Sequence, residues 1–355
     1  PLAEGKGEVY RAGQFFTYYA AECLRLTGEN ADSVRDGVEI DVRREPVGVV
    51  AVISPWNFPT ATASWKIAPA LCYGNAVVWK PANATPASAV ALSEIISRQD
   101  IPEGLFSLVM GSGRAIGQQL VESPGVNAFS FTGSVPVGKG IATAAIQNLT
   151  KAQMEMGSKN ALAVMEDADL DLAVTVALGG AFGGTGQKCT ASSRLVIHEA
   201  VHDAFVEKCK VLLADYVLGD PKSEDTNLGP LAQAKAADYM LEQIRHAEKA
   251  GAKVLCGGRD REIGGKRFLE PTLMVDVKQD MDIIQEENFG PILPVVKVSG
   301  MEEAIEKIND SQYGLTSCIF TENEVEAIAF AKAADTGTVF QNRCDYLDPA
   351  LPWTG

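Results

Sequence analysis

The chain has little histidine, only three residues, and its seven cysteines are scattered, odd in number and never arranged as Cys-x-x-Cys. That pattern fits no common zinc framework and no disulfide scaffold. No metal is expected, and a reducing, cytoplasmic compartment is. Basic clusters are also missing: 31 lysines and arginines face 46 aspartates and glutamates, a formal net charge of −15. Neither a nucleic acid nor an anionic membrane surface is therefore an expected partner, since both need concentrated positive charge to neutralise phosphate. No apolar run is long enough to span a bilayer, and Pro1–Gly13 has neither the basic nor the apolar region of a secretory leader. Starting at Pro1 and stopping at Thr354–Gly355, the sequence reads as a fragment of a longer protein.

What is present is ordinary for a globular chain, 46% hydrophobic and 22% charged, and 355 residues suffice for two cored domains. Gly13–Leu26 carries apolar residues at helical spacing and stops before Gly28. Residues 28–46 then turn polar and alternate at Val38–Arg43, the pattern of a half-exposed arm suited to an edge or a subunit contact. From Val47 short apolar runs (Gly48–Ile53, Ala76–Trp79, Phe106–Met110, Ala128–Phe131) alternate with helical segments. Fully apolar strands separated by helices predict a parallel sheet covered on both faces, with ligands at the carboxyl ends of its strands. The rhythm resumes after residue 158, with a helix over Leu170–Phe182, long helical patterns at Ala200–Leu218 and Leu231–Ala250, and strands near Ala161–Met165, Leu195–His198, Lys253–Leu255, Thr272–Val277, Pro294–Val298, Ser317–Phe320 and Thr338–Gln341. The expected class is α/β: a Rossmann-like cofactor domain (1–27 and 47–157), an oligomerisation arm (28–46) and a second α/β catalytic domain (158–355), with a cleft between the domains.

Several runs carry chemistry. Phe182–Ser193 (FGGTGQKCTASS) sets Cys189 between glycines and small hydroxyl residues. A thiol there is either an inert buried side chain or a nucleophile that a substrate can reach. Ser54-Pro-Trp-Asn-Phe-Pro59 follows the first apolar strand, and Asn57 is either a turn residue or an amide donor to a developing oxyanion. Lys80, in Trp79-Lys80-Pro-Ala-Asn83, stands at a strand end where ribose-binding groups occur, although an exposed lysine is usually just solvated. Phe131-Thr-Gly-Ser-Val-Pro-Val-Gly138 opens a helix and could hold phosphate; Gly111–Gly117 is a second glycine cluster, for which a tight turn is an equal explanation. Glu155, among apolar neighbours in Gln153–Asn160, is either a salt-bridged strand residue or a general base with a raised pKa.

Together these runs resemble the aldehyde dehydrogenase superfamily. PWNFP, Trp65-Lys66, KPAN, FTGS with Gly138, EMGSKN, GQKC, EENFGP and the Asn342 region occur in the family's order, with thirty-four positions from Glu155 to Cys189 and fourteen from Lys66 to Lys80. The resemblance implies that Cys189 attacks an aldehyde carbonyl, that Asn57 and the Cys189 N–H hold the thiohemiacetal oxyanion, and that hydride passes to a nicotinamide. Glu155 would then activate the water that hydrolyses the thioester, with Lys66 near it on a proton path. NAD or NADP contacts are implied for Ser54, Pro55, Trp56, Lys80, Asn83, Gly113, Thr132, Gly133, Ser134, Gly138, Gly157, Glu287 and Phe289. Substrate contacts are implied for Phe58, Thr62, Trp65, Lys188, Thr190, Asn342 and Arg343.

Departures from the family pattern matter too. Asn83 stands where many NAD-preferring members have a glutamate that would repel a 2′-phosphate, so use of either cofactor is expected. Ser158 replaces a glycine, and the closing Pro352-Trp-Thr-Gly355 replaces Pro-Phe-Gly-Gly. Family members are longer at both ends, and part of the cofactor domain and a last strand of the oligomerisation sheet are missing here; the full-length protein is expected to be a homodimer or homotetramer. The run TGQKCTASSRL is similar to enzymes acting on 2-oxoglutarate semialdehyde. Two rivals stand beside hydrolytic aldehyde oxidation: acyl transfer to coenzyme A, which needs no base for water, and a non-catalytic nucleotide-binding relative.

Overall fold

The computed structural model describes residues 1–351 and 353; the closing Pro352–Gly355 run lies outside the described residues except for Trp353. The chain forms two compact units, Lys6–Met156 and, separately, Pro1–Gly5 with Gly157–Gly355.

Lys6–Met156 is built on a five-stranded sheet in the order Phe106–Leu108, Ala76–Lys80, Val49–Ile53, Ala128–Thr132, Lys151–Glu155, every neighbouring pair parallel. The first of these strands in sequence, Val49–Ile53, is central; the chain winds to one edge and then returns to build the other. Between Val49–Ile53 and Ala128–Thr132 lies the switch point where such sheets bind ligands. Alternation along the strand splits the core: Val50 and Val52 join Ile67, Trp79, Leu92 and Ile96, whereas Ala51 joins Phe129, Phe131 and Ile141. Each fully buried side chain of this size contributes about 1.5–3 kcal/mol. The two faces are covered by the helices Ala61–Cys72, Pro86–Ser97 and Val135–Gln147 that the apolar runs predict. The last strand, Lys151–Glu155, was not among the expected strands because three of its five residues are exposed.

The second unit holds a seven-stranded sheet, ordered Lys253–Cys256, Thr272–Val275, Ile292–Val298, Arg194–His198, Ala161–Val164, Thr316–Phe320, Thr338–Gln341. Only the Lys253–Cys256 edge pairs antiparallel. Leu162 and Val164 face one core with Phe182, Phe205 and Phe320, while Ala161 and Ala163 face another with Ile308 and Phe330. The long helical patterns are shorter in the structure, Glu199–Leu213 and Ala236–Lys249.

Two hairpins escaped the sequence reading in whole or part. Asp260–Ile263 pairs with Lys266–Leu269 around Gly264 and Gly265, both in the left-handed conformation that tight hairpin turns demand. In the 28–46 segment the expected alternating strand is present as Glu39–Val42, and the polar stretch before it forms a partner strand, Glu29–Asp32. All eight paired residues are exposed.

Candidate active site

Cys189 follows an unusual stretch of backbone. Helix Leu170–Phe182, capped by Asp169 through Asp171 N (3.0 Å) and Leu172 N (3.1 Å), is buried along most of its second half and ends at the glycine run. Gly184, Thr185 and Gly186 all have positive φ, 61°, 60° and 66°. Glycine adopts this conformation freely; threonine does not, at a cost of about 1–2 kcal/mol. Burial of Thr185 and its hydroxyl bond to the Gly229 carbonyl (3.3 Å) offset that strain. A side chain at Gly186 would collide with the Gly290 carbonyl. Strain of this kind persists only where the surroundings over-determine it, and functional loops are where it collects.

The half-buried Cys189 is held by its backbone. Asn160 donates to the Cys189 carbonyl (2.7 Å) and the Ala191 carbonyl (2.9 Å), and accepts from Thr316 N (3.0 Å). One buried amide thus fastens the cysteine loop to two neighbouring strands. Lys188 and Thr190, on either side of Cys189, both donate to the carboxylate of Asp345, a residue not anticipated from the sequence. Burial by itself lowers the Lys188 pKa, but the charge and hydrogen bond of Asp345 more than offset it, and the net shift is upward.

The run Gly157–Asn160, tied to this loop through Asn160, also meets the Glu287 segment. Ser158 N donates to Glu287 Oε1 (2.9 Å), and any side chain at Gly157 would strike the same carboxylate. Burial pushes the Glu287 carboxyl pKa up, against the pull of Ser158 N and the Lys159 charge. Lys159 is fully buried and donates to Asn288, whose own amide donates to Gln243 (2.8 Å). Burial holds the Lys159 pKa well below the usual lysine range, with neighbouring Arg194 acting in the same direction. Phe289 is half-buried with φ 50°, rare for a bulky residue. The Asn342 amide is committed to the backbone of Thr321 in both directions (3.1 Å each), and the Arg343 guanidinium stacks on the Tyr346 ring at 4.0 Å.

In the unit Lys6–Met156 the other predicted residues gather at the carboxyl edge of the sheet. Ile53 is in register with Lys80 and Phe131, and Thr132 with Glu155. Glu155 is buried, and its carbonyl accepts from Gly133 N (3.1 Å). Lys66, buried in helix Ala61–Cys72, donates to Ser130 Oγ (3.2 Å) and Gln153 Oε1 (3.0 Å), which bond each other at 2.7 Å. Gln153 and Glu155 share one strand face by the two-residue period, so Lys66 lies on the Glu155 side of that strand. Asn57, with Pro55, Trp56, Phe58 and Pro59, is half-buried in the loop leaving Val49–Ile53; Thr62 and Trp65 follow on the helix, with Trp65 stacked on Phe15 at 4.8 Å. That loop is pinned by a residue the sequence reading missed. Glu8 accepts from Thr60 N (2.7 Å), Ala61 N (2.6 Å) and the Thr60 hydroxyl, capping the helix from outside.

The same edge fits an anionic dinucleotide. Helix Val135–Gln147 begins beside the sheet switch point with no side-chain cap from Ser134, so its first N–H groups are available to phosphate. The Thr132 hydroxyl is buried without a hydrogen-bond partner, as expected of an atom awaiting a ligand. Lys80 is buried at its strand end, its Nζ on the Pro81 carbonyl (2.9 Å), and burial lowers its pKa. Ser54 accepts from Trp79 Nε1 (2.9 Å), which locks the first strand end to the second. Asn83 is exposed. A side chain at Gly133 would meet Phe131 at 2.6 Å, and one at Gly138 would meet Met156 Sδ at 2.5 Å. Gly113 has open space around it and opens a turn capped by Ser112 Oγ on Ala115 N (3.2 Å). Among the described residues no group of three or more His, Cys, Asp or Glu is placed to hold a metal ion, and no helix is long and apolar enough to cross a membrane.

Comparison with known proteins agrees with this arrangement. The profile of the aldehyde dehydrogenase family matches residues 1–355. The chain is 41% identical over 341 residues to alpha-ketoglutaric semialdehyde dehydrogenase of Bacillus subtilis, covering 95% of this chain and 70% of that protein. It is 35% identical over 355 residues to the NADP(+) succinate-semialdehyde dehydrogenase of Escherichia coli, covering 100% and 73%. A crystal structure of betaine aldehyde dehydrogenase from Staphylococcus aureus in complex with NAD+ superposes with a TM-score of 0.97 at 33% identity, covering 99% of this chain and 71% of that one. The chain spans between 66% and 73% of the length of the curated relatives it matches first. With a parallel sheet whose switch point suits a dinucleotide, a thiol on a strained loop, and homology along its whole length, the chain belongs to the aldehyde dehydrogenase family.

Proposed function

We propose that this protein oxidises an aldehyde to a carboxylic acid with NAD or NADP, through a thiohemiacetal and then a thioester on Cys189. The observation that carries the proposal is the combination of a half-buried thiol on an over-determined loop with a buried carboxylate, Glu155, at the carboxyl end of a dinucleotide-type sheet. In this reading Cys189 Sγ attacks the carbonyl carbon, and Asn57 with the Cys189 N–H stabilises the resulting oxyanion. Glu155 takes a proton from the water that cleaves the thioester, and Lys66, through Gln153 and Ser130, holds the polar chain beside it. The dinucleotide, when bound, accepts the hydride of the aldehyde carbon. Lys80, Thr132 and Ser134 would hold its ribose and phosphates, and Glu287 with Phe289 its nicotinamide end.

Either cofactor suits the site, because exposed Asn83 puts no carboxylate where a 2′-phosphate would lie. The relatives' names support both, one reading NADP(+) and one NAD+. We further propose that the exposed arm 28–46 pairs with another copy of the chain, because its two strands bury none of their own residues.

The test is an aldehyde panel with NAD or NADP, with and without coenzyme A, on the wild type and Cys189→Ala. Cofactor reduction without coenzyme A, absent in the variant, is expected. A requirement for coenzyme A would favour acyl transfer, and no reduction with any aldehyde would favour a non-catalytic relative.

A further inference from the structure

We infer that Asp345 is a positioning residue for Cys189, a role that rests on the reading of Cys189 as nucleophile. Three observations converge. The Asp345 carboxylate takes a hydrogen bond from Lys188 Nζ with one oxygen and from Thr190 Oγ1 with the other, so a single side chain spans Cys189 from both flanks. Lys188 and Asp345 are both largely buried, their side chains 10% and 21% exposed, so solvent screens the pair only weakly. Asp345 itself is held with φ 53°, in a segment anchored by Asn342 on Thr321 and by Cys344, whose Sγ donates to the Val176 carbonyl (3.5 Å).

Asp345 also decides what Lys188 does. A lysine next to a nucleophilic cysteine could lower the thiol's pKa or seize a substrate carboxylate; paired with Asp345, it is spent on the loop. Recognition of a distal substrate charge therefore falls to groups other than Lys188. The clamp holds the flanks while Asn160 holds the Cys189 carbonyl.

The test needs neither aldehyde nor cofactor, so it separates this role from failure of the proposed reaction. Iodoacetamide labelling is followed peptide by peptide by mass spectrometry. Removing the carboxylate takes a negative charge from the loop and releases both flanks; both changes favour a reachable thiolate. Asp345→Ala is therefore expected to label Cys189 about tenfold faster. The buried Cys209 and Cys318 are expected to stay as slow as in the wild type, which reports an intact fold. In a Lys188→Met, Thr190→Val background the flanks are already released and only the charge remains to be lost, so the same substitution should accelerate Cys189 by clearly less than it does in the wild type. Asp345→Asn, which keeps the shape and loses the charge, should fall between wild type and Asp345→Ala. An unchanged Cys189 rate in both single variants, an equal acceleration in the Lys188→Met, Thr190→Val background, or acceleration of Cys209 and Cys318 in parallel would overturn the proposal.

Discussion

A buried amide with several partners loses more on removal than the bonds it made, because every partner is left buried and unsatisfied. Asn160 is such a residue, with two carbonyls and one N–H depending on it. Asn160→Ala is expected to lower unfolding stability by about 2–3 kcal/mol. Urea denaturation would show it, and a loss no larger than that of an ordinary surface substitution would contradict it. Glu287 makes a prediction in pH. Its folded-state pKa is raised, chiefly by burial, so the carboxyl is most at home protonated. Below the unfolded-state pKa both states are neutral and it costs nothing; as pH rises through the folded-state value, stability is lost. Glu287→Gln should therefore raise the melting temperature of the cofactor-free protein more at pH 8 than at pH 4, as calorimetry at the two pH values would show. The opposite order would mean that Ser158 and Lys159 outweigh burial.

At the scale of elements, the cysteine loop stands on three left-handed residues, and they differ in what a change would cost. Gly186→Ala would add strain and a collision with the Gly290 carbonyl, and is expected to destabilise by about 1–3 kcal/mol. Thr185→Gly relieves strain but gives up burial and a hydrogen bond, so its effect should be much smaller. Equal losses from the two, measured in denaturant, would contradict this account. These elements also show where sequence is readable. Val49–Ile53, Ala76–Lys80 and Ala128–Thr132 have no exposed residue, and their runs were plain. Lys151–Glu155 and Asp260–Ile263 are strands by pairing alone, with mostly exposed residues, so no apolar pattern marked them. Cys189 and Glu155 were legible as candidates on local context, each with a structural alternative left open. Asp345 was not, because its partners lie more than 150 positions earlier and nothing local distinguishes it. The sequence did not reveal that Gly133 and Gly138 also leave room for Phe131 and Met156, contacts that only the folded chain brings together.

For the whole molecule, fold and family are shared with relatives named for quite different aldehydes, semialdehydes on one side and betaine aldehyde on the other. Likeness at 33–41% identity thus supports aldehyde oxidation more firmly than it does any one aldehyde. The exposed arm adds an expectation about assembly. Val38, Ile40 and Val42 are each more than 40% exposed, and Ile40→Glu with Val42→Glu should shift sedimentation toward the monomer. A wild type already monomeric at the same concentration would refute the arm's proposed role. The central claim is that Cys189 carries the acyl group and Glu155 releases it. Its most direct test is Glu155→Gln mixed with excess aldehyde and cofactor, followed by intact-mass and peptide analysis. One equivalent of reduced cofactor per chain is expected, then a stall, with the acyl mass on the Cys189 peptide. Continued turnover at the wild-type rate, or an acyl adduct on any other residue, would contradict it.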